Sequence, residues 1–281
     1  MNIIEIKNLC YSYSEEHKAL DNVSLSISKG SITAVLGGNG AGKSTLFLNL
    51  NGVLKPDSGR VLFDGREVVY DKKGILEMRK RVGIVFQDPN DQLFSSSVRK
   101  DISFGAVNLG LDAEEVRARV DKAILQTGIS EYADKPAHAL SFGQKKRVAI
   151  AGVLVMKPEI IILDEPTAGL DPAGVSEILR LLTDVKKETG VTVILATHEI
   201  DIVPIYCDYA YVMNHGKVVL EGSVPQVLSK PETIREHSLR LPRIAHLMEI
   251  LKNKDMLEVD STAATISAAR ASIKKLAGRE E

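Results

Sequence analysis

The chain has 281 residues, 44% of them hydrophobic and 26% charged, which is the ordinary globular balance and enough apolar material for one large domain or two modest ones. A formal net charge of −1 excludes bulk electrostatic attraction to nucleic acid or anionic lipid, and a local run such as Lys145-Lys146-Arg147 reads as a solvated helix face. The two cysteines, Cys10 and Cys207, exclude a disulfide framework and a zinc-type spacing, and they fit a reducing compartment.

The opening Met-Asn-Ile-Ile-Glu-Ile-Lys carries charges where a secretory leader needs an apolar run. Ile4, Ile6 and Leu9, then Val23, Leu25 and Ile27, alternate with polar residues as half-buried antiparallel strands do. Ile32 to Leu36 is a short β-prone run bounded by glycine, the pattern of a strand buried on both faces. Val82 to Phe86, Ile160 to Leu163 and Val191 to Leu195 repeat it, with helical stretches between them. Buried parallel strands joined by helical crossovers predict a three-layer α/β core.

Between Gln87 and Pro158 no such strand occurs, and a helical insertion is expected over about residues 88–157. Within it, Asp112-Ala113-Glu114-Glu115 has the spacing of a capping box, followed by Val116, Val120, Ala123 and Ile124 on one face. The longest apolar stretch, Val148 to Met156, falls short of the about 20 residues that span a bilayer, so a membrane role has to come through a partner. After Pro231 the pattern changes again. Ile244, Leu247, Met248 and Leu251 mark one helix, and a second is expected to start near Asp260 or Ser261. The division that follows is a main domain over 1–231 and a small C-terminal helical extension over 232–281.

The chemistry starts at Gly37-Gly38-Asn39-Gly40-Ala41-Gly42-Lys43-Ser44, which matches G-x-x-x-x-G-K-[ST] between a buried strand and the helix-like Thr45 to Leu50. Such a loop turns backbone N–H groups inward around an anion, and the helix start adds partial positive charge. Lys43 is placed to reach the β- and γ-phosphates and Ser44 to ligate Mg²⁺. A chance glycine-rich turn would not need the strand before it and the helix after it. Ile160 to Leu163 is an apolar strand ending in Asp164 and Glu165. The first acid suits the metal, and the second is placed to polarise an attacking water, although alone it reads equally as an exposed strand-end charge.

Leu140-Ser141-Phe142-Gly143-Gln144 ends 20 residues before Asp164 (164 − 144). Ser141-x-x-Gln144 is an ordinary capping box, and a capped, glycine-bearing helix start is also an anion site.

With these motifs in this order, the sequence resembles the ATP-binding-cassette ATPases from Ile3 to about Pro231. Tyr13 matches the aromatic that stacks on adenine, with Tyr11 its rival, and Gln87 matches the glutamine that ligates the metal and senses the γ-phosphate. Leu140 to Gln144 matches the LSGGQ signature, Ala168-Gly169-Leu170-Asp171 the loop at the dimer interface, and His198 the histidine contacting the γ-phosphate. Read singly, Tyr13 could be a core aromatic, Gln87 a loop amide and His198 an edge histidine. Phe142 stands where the family usually has glycine, a change that leaves the backbone N–H in place.

The resemblance implies a P-loop NTPase fold with an N-terminal antiparallel β subdomain, acting on ATP with Mg²⁺. It implies Glu165, His198, Lys43 and Gln87 as catalytic residues and Ser44, Gln87 and Asp164 at the metal. Nucleotide contacts would come from Tyr13, Gly37, Gly38, Asn39, Gly40, Ala41, Gly42, Lys43, Ser44 and Thr45, and from Ser141, Gly143 and Gln144 toward a partner's nucleotide. One cassette per chain implies a second ATPase subunit, identical or paralogous.

Val85 to Phe94, Ser97 to Gly105 and Leu239 to Leu247 are similar to the energy-coupling-factor importers, especially the cobalt- or nickel-type ATP-binding subunit. That similarity implies an integral membrane scaffold subunit, a substrate-capturing membrane subunit and a peripheral place on the cytoplasmic face of the cell membrane. The cargo would be cobalt, nickel or a vitamin, and no nucleic acid partner is expected. A soluble cassette ATPase acting on DNA or ribosomes is disfavoured by the lack of a second cassette, coiled-coil insertion or basic domain, and a non-hydrolysing scaffold by the presence of Glu165 and His198.

Overall fold

The computed structural model describes residues 1–278. The chain opens with the long antiparallel pair β1 (Asn2–Ser14) and β2 (His17–Ser28), followed by β3 (Ile32–Leu36) and helix α1 (Lys43–Leu50). Next come β4 (Ser58–Phe63), the short β5 (Arg66–Glu67), α2 (Lys72–Arg81) and β6 (Val82–Val85). Three helices without strands follow, α3 (Val98–Asn108), α4 (Ala113–Thr127) and α5 (Phe142–Leu154). Then β7 (Ile160–Asp164), α6 (Pro172–Thr189), β8 (Thr192–Thr197), the one-turn α7 (Val203–Tyr206), β9 (Tyr209–Asn214) and β10 (Lys217–Ser223) complete the sheet region. Four helices end the described chain: α8 (Val224–Leu228), α9 (Pro231–Glu236), α10 (Arg243–Asn253) and α11 (Ile266–Leu276).

Two sheets result. One is antiparallel in the order β2-β1-β4-β5, and the other runs β10-β9-β3-β8-β7-β6, parallel except for the antiparallel edge strand β10. The period-2 rule sorts the larger sheet's side chains between two cores. Ile161, Leu163, Val193 and Leu195 join Ile178, Leu182 and Val185 of α6, whereas Ile160, Ile162, Ile194 and Val35 join α1 and the antiparallel sheet. The larger sheet is therefore covered on both sides, as continuous apolar strands require. Helices α3, α4 and α5 bury a third core around Ile102, Val120, Ala123, Ile124 and Val148.

Of the larger sheet, the sequence pattern had marked four strands; β9 and β10 are additional, and β8 starts at Thr192 rather than Val191. One expected capping box is half made and one helix start differs. Asp112 caps α4 by accepting from the Glu114 and Glu115 N–H groups, but the Glu115 carboxylate turns to Arg119 and Lys157. The last helix starts at Ile266 with Thr265 as its cap, because the Asp260 carboxylate accepts from the Thr262 N–H and hydroxyl and forms a turn there. The tail of the expected extension, 279–281, lies outside the described residues.

Register fixes what happens at the sheet's carboxyl edge. Asp164 pairs with Ala196, and Thr197 with Leu36, so Glu165, His198 and Gly37 leave neighbouring strand ends side by side. In open parallel sheets that edge is where ligands bind. No helix among the described residues is long and apolar enough to cross a membrane.

Candidate nucleotide site

The loop between β3 and α1 is held by backbone approaches that only glycine permits at two places. A Cβ on Gly37 would lie 2.5 Å from the Met213 carbonyl oxygen, and one on Gly42, at φ 100°, would lie 2.7 Å from that of Ala19. Lys43, Ser44 and Thr45 form the first turn of α1, whose N–H groups have no partner within the helix. Lys43 is buried, and its Nζ donates to the carbonyl oxygens of Gly37 (2.7 Å) and Gly38 (3.2 Å) and lies 3.8 Å from Glu165 Oε1.

This loop floors a cleft of about 890 Å³ lined by Gly38 to Thr45, Tyr13, Gln87, Asp164, Glu165 and His198, a size suited to a nucleotide. Across it, the Ser44 hydroxyl donates to Asp164 Oδ2 at 2.6 Å. Tyr13 is 55% exposed, its hydroxyl 3.2 Å from that of Thr45, so its ring is available to a base; Tyr11 instead packs toward the core, edge-on to Tyr13. Glu165 is buried at φ 46°, in the left-handed region, while its Oε2 meets His198 Nδ1 at 2.8 Å. Exposed Gln87 lines the same cleft.

The structure does not bring Ser141, Gly143 and Gln144 to this cleft. They open α5, where Ser141 Oγ accepts from the Gln144 N–H and Gln144 Oε1 accepts from the Ser141 N–H, a complete capping box on the surface. Phe142, still 37% exposed, leans on Gly169, where a Cβ would come within 3.0 Å of its ring. Asp171 caps α6 through the Gly174 N–H, so the loop from Ala168 to Asp171 lies between the carboxylate strand and a fixed helix start.

Glu16, His17, Lys18 and His215 also line the cleft. No motif marks them; the one available signal is the place of the first three in the β1–β2 hairpin beside Tyr13, whose ring His17 faces at 6.1 Å. The run Lys145-Lys146-Arg147 is not a solvated face. Lys146 is 2% exposed and its Nζ donates to the Glu165 carbonyl oxygen at 2.9 Å, whereas Lys145 reaches Asn90 and Arg147 reaches the Thr127 carbonyl and Glu177. Successive helix residues point about 100° apart, so adjacent charges need not share an environment.

The donor set near Ser44 suits a hard cation: hydroxyl, carboxylate and amide oxygens, with no soft ligand among them. Among the described residues no group of three or more His, Cys, Asp or Glu is placed to hold a metal, so a cation here has to complete its shell with phosphate oxygens and water.

Comparison with known proteins agrees with the geometry. A protein-family model described as ABC transporter matches residues 20–168. The energy-coupling factor transporter ATP-binding protein EcfA3 of Clostridium perfringens is 58% identical over 271 residues, 96% of this chain and 95% of that protein. EcfA of Methanocaldococcus jannaschii is 51% identical over 260 residues, 92% of this chain and 93% of that protein. The solved structure of cbiO1 from Clostridium perfringens, described as part of the ABC transporter complex cbiONQ, matches with a TM-score of 0.77 and 59% identity over 89% of this chain and 99% of that one. A dimeric cassette in a post-hydrolysis state, bound to ADP and Pi, matches with a TM-score of 0.70 and 29% identity over 78% of this chain and 98% of its own. With a phosphate-binding loop, a carboxylate-ended strand and a separate capped signature helix on this frame, the chain belongs to the ABC transporter ATPases, which couple ATP hydrolysis to transport.

Proposed function

We propose that this chain is the ATP-hydrolysing subunit of an energy-coupling-factor type importer, working as one half of a pair of cassettes that close on two nucleotides. The observation that carries the pairing is the absence of Ser141, Gly143 and Gln144 from the cleft where the other motifs converge. A capped helix start facing outward is an anion site awaiting a partner's γ-phosphate. The dimeric relative bound to ADP and Pi supports this arrangement.

In this reading Tyr13 stacks on the base, and the loop from Gly37 to Thr45 wraps the phosphates. Lys43 exchanges the Gly37 and Gly38 carbonyls for phosphate oxygens. Ser44, Asp164 and Gln87 would hold Mg²⁺, which when bound would supply positive charge to the phosphates. Glu165 accepts a proton from the attacking water. His198, hydrogen-bonded to the same carboxylate, orients it and reaches the γ-phosphate. Loss of the γ-phosphate removes donors' partners from both protomers, and the pair opens.

An apolar groove of about 500 Å³, lined by Leu76, Phe86, Leu93, Phe94, Phe104 and Met156 among others, lies between α2, β6 and the helical segment after Gln87. Phe94 and Phe104 stack edge to face there and are 67% and 50% exposed, which suits a coupling helix of a membrane scaffold subunit. The chain would sit on the cytoplasmic face, beside a second membrane subunit that captures the cargo. Cobalt is the proposed cargo, ahead of nickel or a vitamin. The same reading divides the chain into 1–231, with a helical subdomain over about 88–157, and 232–281, with Ile234, Leu239 and Leu241 of the second part packed into the main core.

The test is isolation of the tagged chain from native membranes. Co-purifying hydrophobic subunits support the importer; DNA or ribosomes in their place overturn it. Uptake of labelled cobalt, nickel and vitamins by the reconstituted complex then identifies the cargo.

A further inference from the structure

The helical core holds a buried amine that the hydrolytic scheme above does not use. Lys146 lies in the second turn of α5, 2% exposed, among the largest fully buried side chains of the chain. A lysine is rarely buried without a dedicated partner. Burial lowers its pKa to about 8 against the pull of Glu165, Asp88 and Glu199. Its Nζ lies 2.9 Å from one acceptor, the backbone carbonyl oxygen of Glu165.

That carbonyl belongs to a residue whose conformation needs support. Glu165 sits at φ 46°, a region that side-chain-bearing residues seldom occupy and that persists only where surroundings over-determine it. Its N–H donates to the Ala196 carbonyl of β8 at 3.1 Å, and its carbonyl also accepts from the Ala168 N–H at 3.1 Å. The peptide is thus pinned to β8 on one side and to α5 on the other. With both ends fixed, the side chain points to His198 Nδ1 and toward Lys43. Phe142, one turn before Lys146, places its ring 5.3 Å from the Lys146 amine and packs on Gly169, closing the same loop from outside.

We propose that Lys146 is a positioning residue for ATP hydrolysis, holding the Glu165 peptide from the signature helix so that the Glu165 carboxylate is aimed at the attacking water. The inference rests on Glu165 being the base. Lys146 is not among the residues that line the cleft, so its loss is expected to slow the chemical step and leave nucleotide binding alone.

The experiment compares Lys146→Met, which keeps the length and removes the donor, with Lys146→Gln, which restores a neutral donor. Phosphate release gives kcat and KM, a fluorescent ATP analogue gives affinity, and thermal unfolding checks that each variant is folded. Expected is a kcat loss of about tenfold or more for K146M, the scale set by a misaimed catalytic group, with affinity within about twofold and recovery to within about threefold in K146Q. A folded K146M with kcat within about twofold of wild type overturns the proposal, as does a K146Q as slow as K146M. Should K146M not fold, a folded K146Q retaining more than about a third of kcat supports the proposal and one losing more than about tenfold overturns it. Glu165→Gln runs in parallel: if it hydrolyses normally the base assignment fails, whereas a dead E165Q beside a normal K146M sinks the positioning role alone.

Discussion

Glu165 Oε2 and His198 Nδ1 lie 2.8 Å apart although 33 residues separate them in the chain. The pairing is a product of sheet register. β7 and β8 run parallel with Asp164 beside Ala196, so the first residue past β7 and the first past β8 emerge together. The left-handed turn at Glu165 then folds its side chain back toward the phosphate-binding loop rather than out into solvent. Two strand ends and one strained residue are enough to bring together the proposed base and its orienting partner.

Glu165→Gln keeps the shape of the side chain but removes the proposed proton acceptor. Its kcat is expected to fall by about 10²–10⁴-fold, the usual contribution of a positioned base. ATP affinity should stay near wild type, and the nucleotide-bound pair should accumulate in the closed form. Phosphate release and size-exclusion chromatography with ATP and magnesium read both effects.

Lys43→Ala acts at the earlier step. The amine is buried beside the loop carbonyls, with Glu165 the nearest carboxylate at 3.8 Å. A charge-assisted contact to phosphate of about 1.5–3 kcal/mol is lost, which corresponds to roughly a 10- to 150-fold weaker Kd. A fluorescent-nucleotide titration showing unchanged affinity would contradict the assignment.

Much of this site was legible because its chemistry forces residue types. Gly37 and Gly42 meet backbone oxygens closer than any Cβ allows, Lys43 and Ser44 are the residue types that the motif's proposed phosphate and cation contacts call for, and Asp164 ends a buried strand. What stayed hidden depends on direction rather than on type. Lys146 reads like its charged neighbours until the helix is wound and turns it inward. Asp260 is as good a helix cap in sequence as Thr265, and the choice is made by the Thr262 hydroxyl that engages its carboxylate. Glu115 forgoes the capping box because Arg119, one turn on, offers a cation.

Cys207 offers a test of packing away from the nucleotide. Burial pushes its thiol up to about 12, so at pH 8 only about one part in 10⁴ is thiolate. Iodoacetamide at pH 8 should therefore modify Cys207 in the folded protein at least about 100-fold more slowly than after denaturation. Peptide mass spectrometry over a time course checks it, and equal rates in both states would show that the α7 region is open in solution.

The last prediction concerns the C-terminal helices. Ile234, Leu239 and Leu241 are buried in the main core, so a deletion beginning at 232 would damage the ATPase domain and its result could not be assigned to pairing. α10, α11 and the segment between them form their own small core of Met248, Val259, Ala263 and Ala269, and α10 is tied to the rest by the Arg235–Glu249 ion pair and the Arg243 N–H to Asp201. Four large apolar residues of these helices stay exposed: Leu247 at 47%, Ile266 at 74%, Ile273 at 43% and Leu276 at 44%. If these cover a second subunit, truncation before Arg243 should leave a folded, nucleotide-binding chain whose nucleotide-free pairs dissociate at least about tenfold more readily, a loss of about 1.4 kcal/mol. Sedimentation across a concentration series measures it. An unchanged association constant would mean that the two helices serve only their own core and contribute nothing to pairing in the absence of nucleotide.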